Sequence, residues 1–262
     1  MISLNCIETY IDKEQNYYGS FIIEPLETGQ GITLGNALRR TLLSDLSGFA
    51  VTGVRINNLK HEFSTVEGVR EDILEILLNL KEIVLKSSFF EQKNQLNLKK
   101  KGFLQVKGPL IVTAGMFFLP KNSLKIVNPN QYICTIINDS ELYMELDIEN
   151  GFGYQLVEET RKKNALEKFT IANPITLKTD AVFLPIQNVN YKIKLIHDTH
   201  GNIKESLSFE ILTNGSITPK RSLQEALKIL LNLFYPLFLT SDFLKLSSSL
   251  DLKQNLNKTD NF

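Results

Sequence analysis

The chain has 262 residues, of which 29 are Lys or Arg and 29 are Asp or Glu, so its formal net charge at pH 7 is zero. This balance excludes a chain-wide attraction to nucleic acid or to an anionic membrane, so any DNA contact has to be local. Two distant cysteines, Cys6 and Cys134, do not suggest the disulfide framework of a secreted module. No stretch approaches the roughly 18 apolar residues of a membrane-spanning helix, and the amino terminus lacks secretory and transit-peptide character. We expect a soluble protein of a reducing compartment, made where it works.

The first informative segment spans residues 18–44 and predicts a strand, a glycine-containing turn and a helix. The strand is apolar and aromatic from 18 to 23, and Thr33 is predicted to cap a helix that begins at Leu34. Leucines fill one arc of this helix at about 100° per residue, which predicts packing along its whole length. These leucines are Leu34, Leu38, Leu42, Leu43 and Leu46.

Two adjacent arginines distinguish this helix. Arg39 falls inside the apolar arc, whereas Arg40 falls on the opposite side, beside Asn36 and Ser44. A lone arginine on an apolar stripe is most often a side chain whose stem packs while its head reaches water. Two adjacent arginines on a helix point about 100° apart, so one helix can pack on one side and contact a charged partner on another. We interpret it as an interface helix.

The clearest helix of the middle section is predicted from Val69 to Lys86, after a strand over 51–57. Its apolar arc is wide enough for the helix to be covered on two sides. Lys81 lies within the widened apolar side, and the pattern leaves open whether it snorkels or contacts a partner.

From 96 to 150 the pattern is mostly β, with Asn150-Gly151 as one of the turn signals. Two later alternating stretches, 189–195 and 207–211, precede the Asn214-Gly215 turn and are predicted to pair within one sheet. The strongest two-residue alternation predicts a strand with one buried face, formed by Leu142, Met144, Leu146 and Ile148.

The last helix has good start signals, with Thr218 as N-cap and Pro219 at its first position, and Pro236 is expected to end or kink it. Its apolar arc exceeds what one sheet face covers, which predicts that part of it meets another subunit. A helix buried only in its own domain is the alternative. The polar stretch 247–262 is predicted to be disordered. The arc contains Leu223, Ala226, Leu227, Leu230, Leu231, Leu233 and Phe234.

Three other features of the sequence could indicate a function. The turn from Gly29 to Gly35 follows a strand and opens a helix, as in nucleotide-binding loops, but its spacing is not the dinucleotide fingerprint and no P-loop lysine follows. The pair His197 and His200 lacks a nearby third ligand for a metal, and turn histidines are the simpler interpretation. Lysines from Lys93 to Lys107 surround Phe103 and could grip a nucleic acid, but a lysine-guarded edge strand explains them more simply.

Neighbouring carboxylates do not form a catalytic pattern. Helix neighbours such as Glu71 and Asp72 point in different directions, whereas two-metal catalysis needs carboxylates that converge. The pair Glu158 and Glu159 gives no aspartate-rich catalytic loop either. We therefore expect no catalytic, metal-binding or cofactor-binding residues in this chain.

Three blocks carry a family resemblance: E-P-L-E-T-G-Q-G-I-T-L-G-N-A-L-R-R-T-L-L from Glu24, H-E-F-S-T-V-E-G-V-R-E-D-I-L-E-I-L-L-N-L-K from His61, and T-N-G-S-I-T-P-K-R-S-L from Thr213. In this order they resemble the alpha subunit of bacterial-type DNA-directed RNA polymerase. The run D-A-V-F-L-P-I-Q-N-V-N-Y from Asp180 is more similar to the plastid-encoded versions.

The resemblance implies an α+β fold of two domains. Residues 1–47 and 185–240 would form a dimerisation domain of sheet plus two long helices, and residues 48–184 an inserted, mainly antiparallel β domain. Residues 241–262 would be a polar tail without the carboxy-terminal DNA-binding domain of the family. The implied function is a non-catalytic assembly subunit that pairs with itself and carries the beta and beta-prime subunits. DNA would be met only through the complex, in a plastid or alternatively in bacterial cytoplasm.

The resemblance also implies two sets of site residues. Arg39 and Arg40 would mark the surface met by the beta subunit. Lys81, together with the segment from Asp180 to Pro185, would face beta-prime. The homodimer would be formed by Leu34, Leu38, Leu42, Leu46, Leu223, Leu227, Leu230, Leu231 and Phe234.

Overall fold

The fold is α+β with antiparallel sheets, which confirms the predicted class. The helices are α1 (Gln30–Ser44), α2 (Ile73–Lys81) and α3 (Pro219–Phe238). The strands are β1 (Ser3–Ile11), β2 (Tyr17–Leu26), β3 (Ser47–Ile56), β4 (Leu85–Ser87), β5 (Lys100–Lys107), β6 (Leu110–Thr113), β7 (Leu124–Ile126), β8 (Tyr132–Ile136), β9 (Glu141–Phe152), β10 (Tyr154–Gln155), β11 (Leu177–Lys178), β12 (Ala181–Val182), β13 (Ile186–His197) and β14 (Ile203–Thr213). The computed structural model describes residues 2–13, 15–57, 59, 63–87, 99–120, 124–157, 176–197 and 201–238.

One sheet brings the two ends of the sequence together, in the order β1-β2-β14-β13. Phe21 of β2 lies opposite Phe209 of β14, and β13 and β14 form the antiparallel pair that the sequence predicts. Helices α1 and α3 pack on one face of this sheet. Their shared core consists of Phe21, Ile23, Leu26, Leu38, Leu42, Leu46, Ile186, Val189, Leu207, Phe209, Ile211, Leu223 and Ala226.

Helix α1 begins four residues earlier than predicted, at Gln30 instead of Leu34. Gly29 has φ 88°, a left-handed conformation that glycine adopts without strain, so the chain turns from β2 directly into the helix. The hydroxyl of Thr33 donates to the carbonyl of Gly29 at 3.2 Å, inside the first turn, so Thr33 is not the N-cap. Gly35 permits close packing on β13, since a Cβ there would lie 2.8 Å from the Tyr191 ring.

A second hydrophobic core is built from residues 51–177. Its main sheet has the order β5-β9-β3-β4-β7, with β11 also paired to β3, and two-stranded sheets join β6 to β8 and β10 to β12. Strand β5 is an edge strand, as predicted, and β9 runs through Asn150 and Gly151 as paired strand residues, so the predicted turn there is wrong. The predicted buried alternation is confirmed for Leu142, Met144, Leu146 and Ile148, each at most 1% exposed.

Helix α2 is half as long as the sequence pattern suggests. Val69 instead forms a bridge to Ile136, and β4 occupies the predicted last turn. Asn128 explains the early end, because its side chain accepts a hydrogen bond from the N–H of Val84 and donates one to the carbonyl of Glu82, both at 2.9 Å. The expected cover on two sides is also wrong, since Leu74 and Leu78 are exposed.

The last helix begins at Pro219, as predicted, and continues through Pro236 to Phe238. Pro236 therefore does not end the helix at the preceding residue. The predictions for His200, for Lys93, for Glu158 and Glu159, and for the polar tail lie outside the described residues.

Candidate assembly interface

Helix α3 is fully buried only in its first two turns. Its buried residues are Pro219, Ser222, Leu223 and Ala226. The helix has 20 residues and is therefore about 30 Å long, and more than half of it follows these buried residues, although Ile229 and Leu230 still pack partly against the core. Large apolar side chains cover that part and are 38% to 69% exposed, which marks an interaction surface. They are Leu227, Leu231, Leu233, Phe234, Tyr235, Leu237 and Phe238.

Several residues predicted for the dimer interface belong to the core of the single chain. Leu38, Leu42 and Leu46 of the α1 region are 0% to 1% exposed, and Leu223 is 1% exposed. They have no surface left to bury against a second chain, so their assignment to an interface is corrected. Leu34 and Leu230 are half-buried against the same core. Of the predicted set, Leu227, Leu231 and Phe234 stay on the surface.

Arg39 and Arg40 both lie on the exposed side of α1. Arg39 belongs to the predicted apolar arc but is not buried. The sheet covers only the part of the arc that contains Leu38 and Leu42. Within the described part of the chain neither guanidinium forms an ion pair. The hydroxyl of Ser44 donates to the carbonyl of Arg40, which ties down the helix end at this point. Arg39 and Arg40 are therefore two adjacent exposed cations without an ion-pair partner among the described residues.

A second polar cluster joins three distant parts of the sequence. The Lys81 ammonium donates to the hydroxyl of Tyr154 at 3.3 Å and lies 5.1 Å from the centre of its ring. The same hydroxyl donates to Asp180 at 2.9 Å, and the N–H of Val157 donates to the other carboxylate oxygen at 3.0 Å. The Val157 amide, followed by Tyr154 and Lys81, holds the pKa of Asp180 below its ordinary value against the opposing effect of burial.

The structure thus brings Lys81 and Asp180 together on one surface, as the sequence analysis expects. The residue that joins them, Tyr154, was not predicted from the sequence. Tyr154 lies in the two-residue strand β10, which has no periodicity to detect. Pro185, in contrast, is buried, and its carbonyl accepts the N–H of Asn214 at 3.0 Å. It supports the entry to β13 instead of offering a contact surface, so its assignment to the large-subunit surface is corrected.

The glycine turn before α1 is already occupied by a carboxylate of the chain. Glu205 of β14 accepts hydrogen bonds from the N–H groups of Gly29 and Gly31, both at 2.8 Å. A phosphate would need those same amides at the helix N-terminus. The turn therefore serves the fold, and the nucleotide-binding interpretation loses its geometric basis.

The lysine run is engaged in contacts along β5 and its approach. Lys99 pairs with Glu149 at 3.3 Å, Lys101 pairs with Glu145 at 2.5 Å, and Lys100 lies over the ring of Phe49. Among the described residues, no group of three or more His, Cys, Asp or Glu side chains is arranged to hold a metal ion. None of the helices in the described ranges is long and apolar enough to cross a membrane.

Comparisons with known proteins identify the family of this chain. The family described as RNA polymerase Rpb3/RpoA insert domain matches residues 54–184. The chain is 46% identical over 231 residues to the DNA-directed RNA polymerase subunit alpha of Pyropia yezoensis, covering 88% of this chain and 69% of that protein. The chain belongs to the family of DNA-directed RNA polymerase alpha subunits.

Other members of the alpha-subunit family match over similar or greater spans. The protein of Gracilaria tenuistipitata var. liui is 43% identical over 258 residues, which covers 98% of this chain and 74% of that protein. The protein of the cyanobacterium Trichodesmium erythraeum is 47% identical over 232 residues, covering 88% of this chain and 69% of that protein. Matches of this length support an alpha subunit and do not support a small nucleotide-binding enzyme.

Proposed function

We propose that this chain is a non-catalytic assembly subunit of DNA-directed RNA polymerase that forms a homodimer. The observation that carries the proposal is the exposed apolar half of α3, beginning at Leu227, which is far too apolar to remain in water. Membership of the alpha-subunit family supports the same function. Catalysis would belong to the large subunits, and contact with DNA would be indirect.

Two charged surfaces would carry the two large partners. Arg39 and Arg40 project from α1, which packs on the first sheet, and we assign them to the beta subunit. Lys81 and Asp180, joined by Tyr154, lie beside the second core, and we assign them to beta-prime. Because two identical copies would meet two different large subunits, each surface would be used in only one of the copies.

The two hydrophobic cores support the predicted domain division. We propose a discontinuous dimerisation domain of residues 1–47 and 185–240, since its core draws on residues from both segments. Residues 48–184 would be the inserted domain, whose core spans 51–177. The family match over 54–184 agrees with these limits.

We further propose that the protein works in a plastid. Its relatives include the alpha subunits of the algae Pyropia yezoensis and Rhodomonas salina. Bacterial cytoplasm is the alternative, because the relative from Trichodesmium erythraeum is equally similar. Immunodetection in isolated, protease-treated plastids of the source cells distinguishes the two sites.

Sedimentation of the purified full chain, followed by co-expression with tagged beta and beta-prime, tests the function. We expect a dimer that co-purifies with both large subunits. A monomer that neither large subunit retains would contradict the proposal. Saturating ATP with Mg²⁺ should leave the melting temperature of the chain unchanged, whereas an increase would favour the nucleotide-binding alternative.

A further inference from the structure

Strand β1 is an edge of the first sheet that lacks the usual protection of an edge strand. Among the described strands it pairs only with β2, and all nine of its residues are exposed. Natural edge strands are protected from further pairing by lysine, by proline or by a covering segment. The opposite edge strand, β13, contains Lys192 and Lys194, whereas β1 contains neither lysine nor proline. Strand β1 therefore has the character of a strand that another segment covers.

The pairing register shows which face of β1 is apolar. Leu4 and Cys6 lie opposite Ile23 and Phe21 of β2, which belong to the core beneath α1 and α3. Since directly opposite residues of an antiparallel pair point to the same face, Leu4 and Cys6 lie on the helix-bearing face. Asn5, between them, points to the other face. A strand that extends this sheet has to place its apolar side chains beside Leu4 and Cys6.

One segment of the chain after α3 has the sequence pattern that this edge requires. From Leu244 to Lys253 it reads L-K-L-S-S-S-L-D-L-K, and we call these residues the tail segment. Leucine occupies the even-numbered positions 244, 246, 250 and 252, and every odd-numbered position is polar. This two-residue period is typical of a strand with one buried face. The tail segment follows the last described residue, so the pattern is a property of its sequence.

We infer that the tail segment adds to the outer edge of β1 as a fifth strand of the first sheet, with its leucines on the helix-bearing face. Main-chain hydrogen bonds to β1 hold the added strand, and contacts of its leucines with Leu4 and Cys6 select its face. The stretch from 247 is predicted to be disordered by itself, and pairing with β1 supplies the partner that orders its first part. The inference does not depend on the proposed homodimer.

The positions of the charged residues support this arrangement. Lys245 and Lys253 occupy odd-numbered positions of the tail segment, so they lie on the face away from the helices. The tail segment becomes the new edge of the sheet, and this edge carries lysine as β13 does at the other side. The added strand therefore replaces an unprotected edge with a protected one.

The connection from α3 is long enough for the tail segment to return to the sheet. Helix α3 ends eight residues, or about 12 Å, beyond Leu230, which still packs against the core of the first sheet. Residues 239–243 span up to about 17 Å when extended. The start of the helix lies close to β1, because a Cβ on Gly19 would be 2.5 Å from Pro219, and Gly19 pairs with Thr9 of β1. The same chain can therefore supply both strands.

Cys6 provides a native probe of this pairing. It is an exposed free thiol on the helix-bearing face, whereas Cys134 is buried and its pKa is raised by burial to about 12, so Cys134 does not compete. Opposite residues of neighbouring strands are close enough for a disulfide. The experiment introduces one cysteine at a time into the full chain, followed by mild oxidation, a non-reducing gel and mass spectrometry of the linked peptides.

The alternation of the tail segment supplies its own matched controls. Ser247→Cys and Ser249→Cys are the controls, because they make the same substitution as Ser248→Cys but on the other face of the proposed strand. The test variants at the even-numbered positions are Leu244→Cys, Leu246→Cys, Ser248→Cys, Leu250→Cys and Leu252→Cys.

We expect at least one even-numbered variant to form a disulfide with Cys6 within one chain, and the two controls to form none. Equal cross-linking at even and odd positions would show a tail that only collides with Cys6, and it would overturn the inference. A disulfide between two chains, or no cross-link at any even-numbered position, would also overturn it. None of these outcomes decides the proposed homodimer, which sedimentation of the unaltered chain tests separately.

Hydrogen exchange of the full chain gives a second measurement that does not use thiols. Neighbouring N–H groups of a strand point to opposite edges, so the double variant Leu246→Pro with Ser247→Pro removes one donor that faces β1. We expect peptides that cover β1 to lose protection from exchange in this variant. Asn257→Pro with Lys258→Pro, outside the tail segment, is the matched control and should leave the exchange unchanged. Unchanged protection of β1 in the first variant would overturn the inference.

Discussion

The carboxylate of Glu205 accepts a 2.8 Å hydrogen bond from the backbone N–H of Gly31, 174 positions earlier in the sequence. Its other oxygen accepts the N–H of Gly29 at the same distance. The first amides of a helix lack intrahelical partners and carry partial positive charge, so a carboxylate at this position stabilises the helix. Because Glu205 is 9% exposed, the contact also fixes α1 to strand β14.

Replacement of this carboxylate should destabilise the chain. We expect Glu205→Gln to lower the free energy of unfolding by about 1 to 3 kcal/mol, since an amide group supplies one acceptor and leaves a buried N–H without a good partner. Urea denaturation measures the loss. Glu210→Gln, on the same strand, is the matched control and should change stability little. Equal effects of the two substitutions would contradict the role of Glu205.

The sequence predicts the glycine turn before α1 but not its partner. Gly29 and Gly31 indicate a sharp turn because their spacing and the neighbouring strand are local signals. Glu205 is one of many carboxylates in the chain, and only the sheet order, with β14 beside β2, brings it to the turn. For the same reason the sequence predicts Thr33, the nearest local capping residue, as the N-cap of the helix instead of Gly29.

A charge on the exposed half of α3 should break the homodimer. We expect Leu231→Asp to shift the chain from dimer to monomer, because a carboxylate buried in an apolar interface without a partner is strongly unfavourable. Leu78→Asp on α2 is the matched control, since both leucines are 63% exposed in the single chain. Analytical ultracentrifugation at several concentrations measures the effect. A dimer of unchanged strength in Leu231→Asp would count against the proposed interface.

Periodicity predicts the apolar arc of α3 but not how the arc is divided between core and surface. Leu223 and Leu231 both belong to the predicted arc, yet they are 1% and 63% exposed. The difference arises because the core beneath the helix reaches only as far as Leu230 and only on one side, and helical period carries no information about the extent of that core. The same limitation explains why Leu38 and Leu42 were predicted to lie at an interface.

Loss of the charge at position 40 should weaken recruitment of the beta subunit. Arg40 has no ion-pair partner among the described residues, so Arg40→Ala should leave the fold and the homodimer unchanged. If a carboxylate of the beta subunit pairs with Arg40, loss of the guanidinium should cost on the order of 2 kcal/mol of binding free energy, or about thirty-fold in Kd. Pull-down with tagged beta subunit measures this change.

The control for Arg40→Ala is Lys192→Ala, which removes an exposed cation from the opposite face of the first sheet. It should leave recovery of the beta subunit unaltered. Equal recovery with both variants would show that Arg40 is not part of the contact. Equal losses would indicate a general effect of net charge instead of a specific pair.

A buried carboxylate should make the second core sensitive to acid. Burial favours a higher pKa for Glu71, but hydrogen bonds from the Tyr132 hydroxyl and the Thr135 N–H outweigh it, with help from Arg70, and hold the pKa below its ordinary value. The folded state therefore binds the proton less well than the unfolded state, whose Glu has a pKa of about 4.3. The stabilisation is complete above that pKa and is lost as pH falls through the lower, folded value.

Urea denaturation between about pH 3 and pH 7 tests this sign. We expect the stability difference between the unaltered chain and Glu71→Gln to be largest near neutral pH and to shrink on acidification. Glu75→Gln, an exposed position on α2, is the control and should give a small difference at every pH. A Glu71→Gln deficit that stays constant across this range would show that the charge of Glu71 is not what stabilises the core.

Removal of the Tyr154 hydroxyl should affect the surface of Lys81 and Asp180 and leave the other contacts of the assembly unchanged. Tyr154→Phe keeps the ring beside the Lys81 ammonium but removes the 2.9 Å hydrogen bond to Asp180 and the 3.3 Å bond from Lys81. We expect the pKa of Asp180 to rise towards its ordinary value and stability to fall by only about 1 kcal/mol. Recovery of beta-prime should fall, while the homodimer and the recovery of beta should not change.

Tyr143→Phe is the matched control, because Tyr143 is 41% exposed against 48% for Tyr154. Undiminished recovery of beta-prime with Tyr154→Phe would remove the hydroxyl from the proposed contact, and a parallel loss of beta would assign the effect to folding instead.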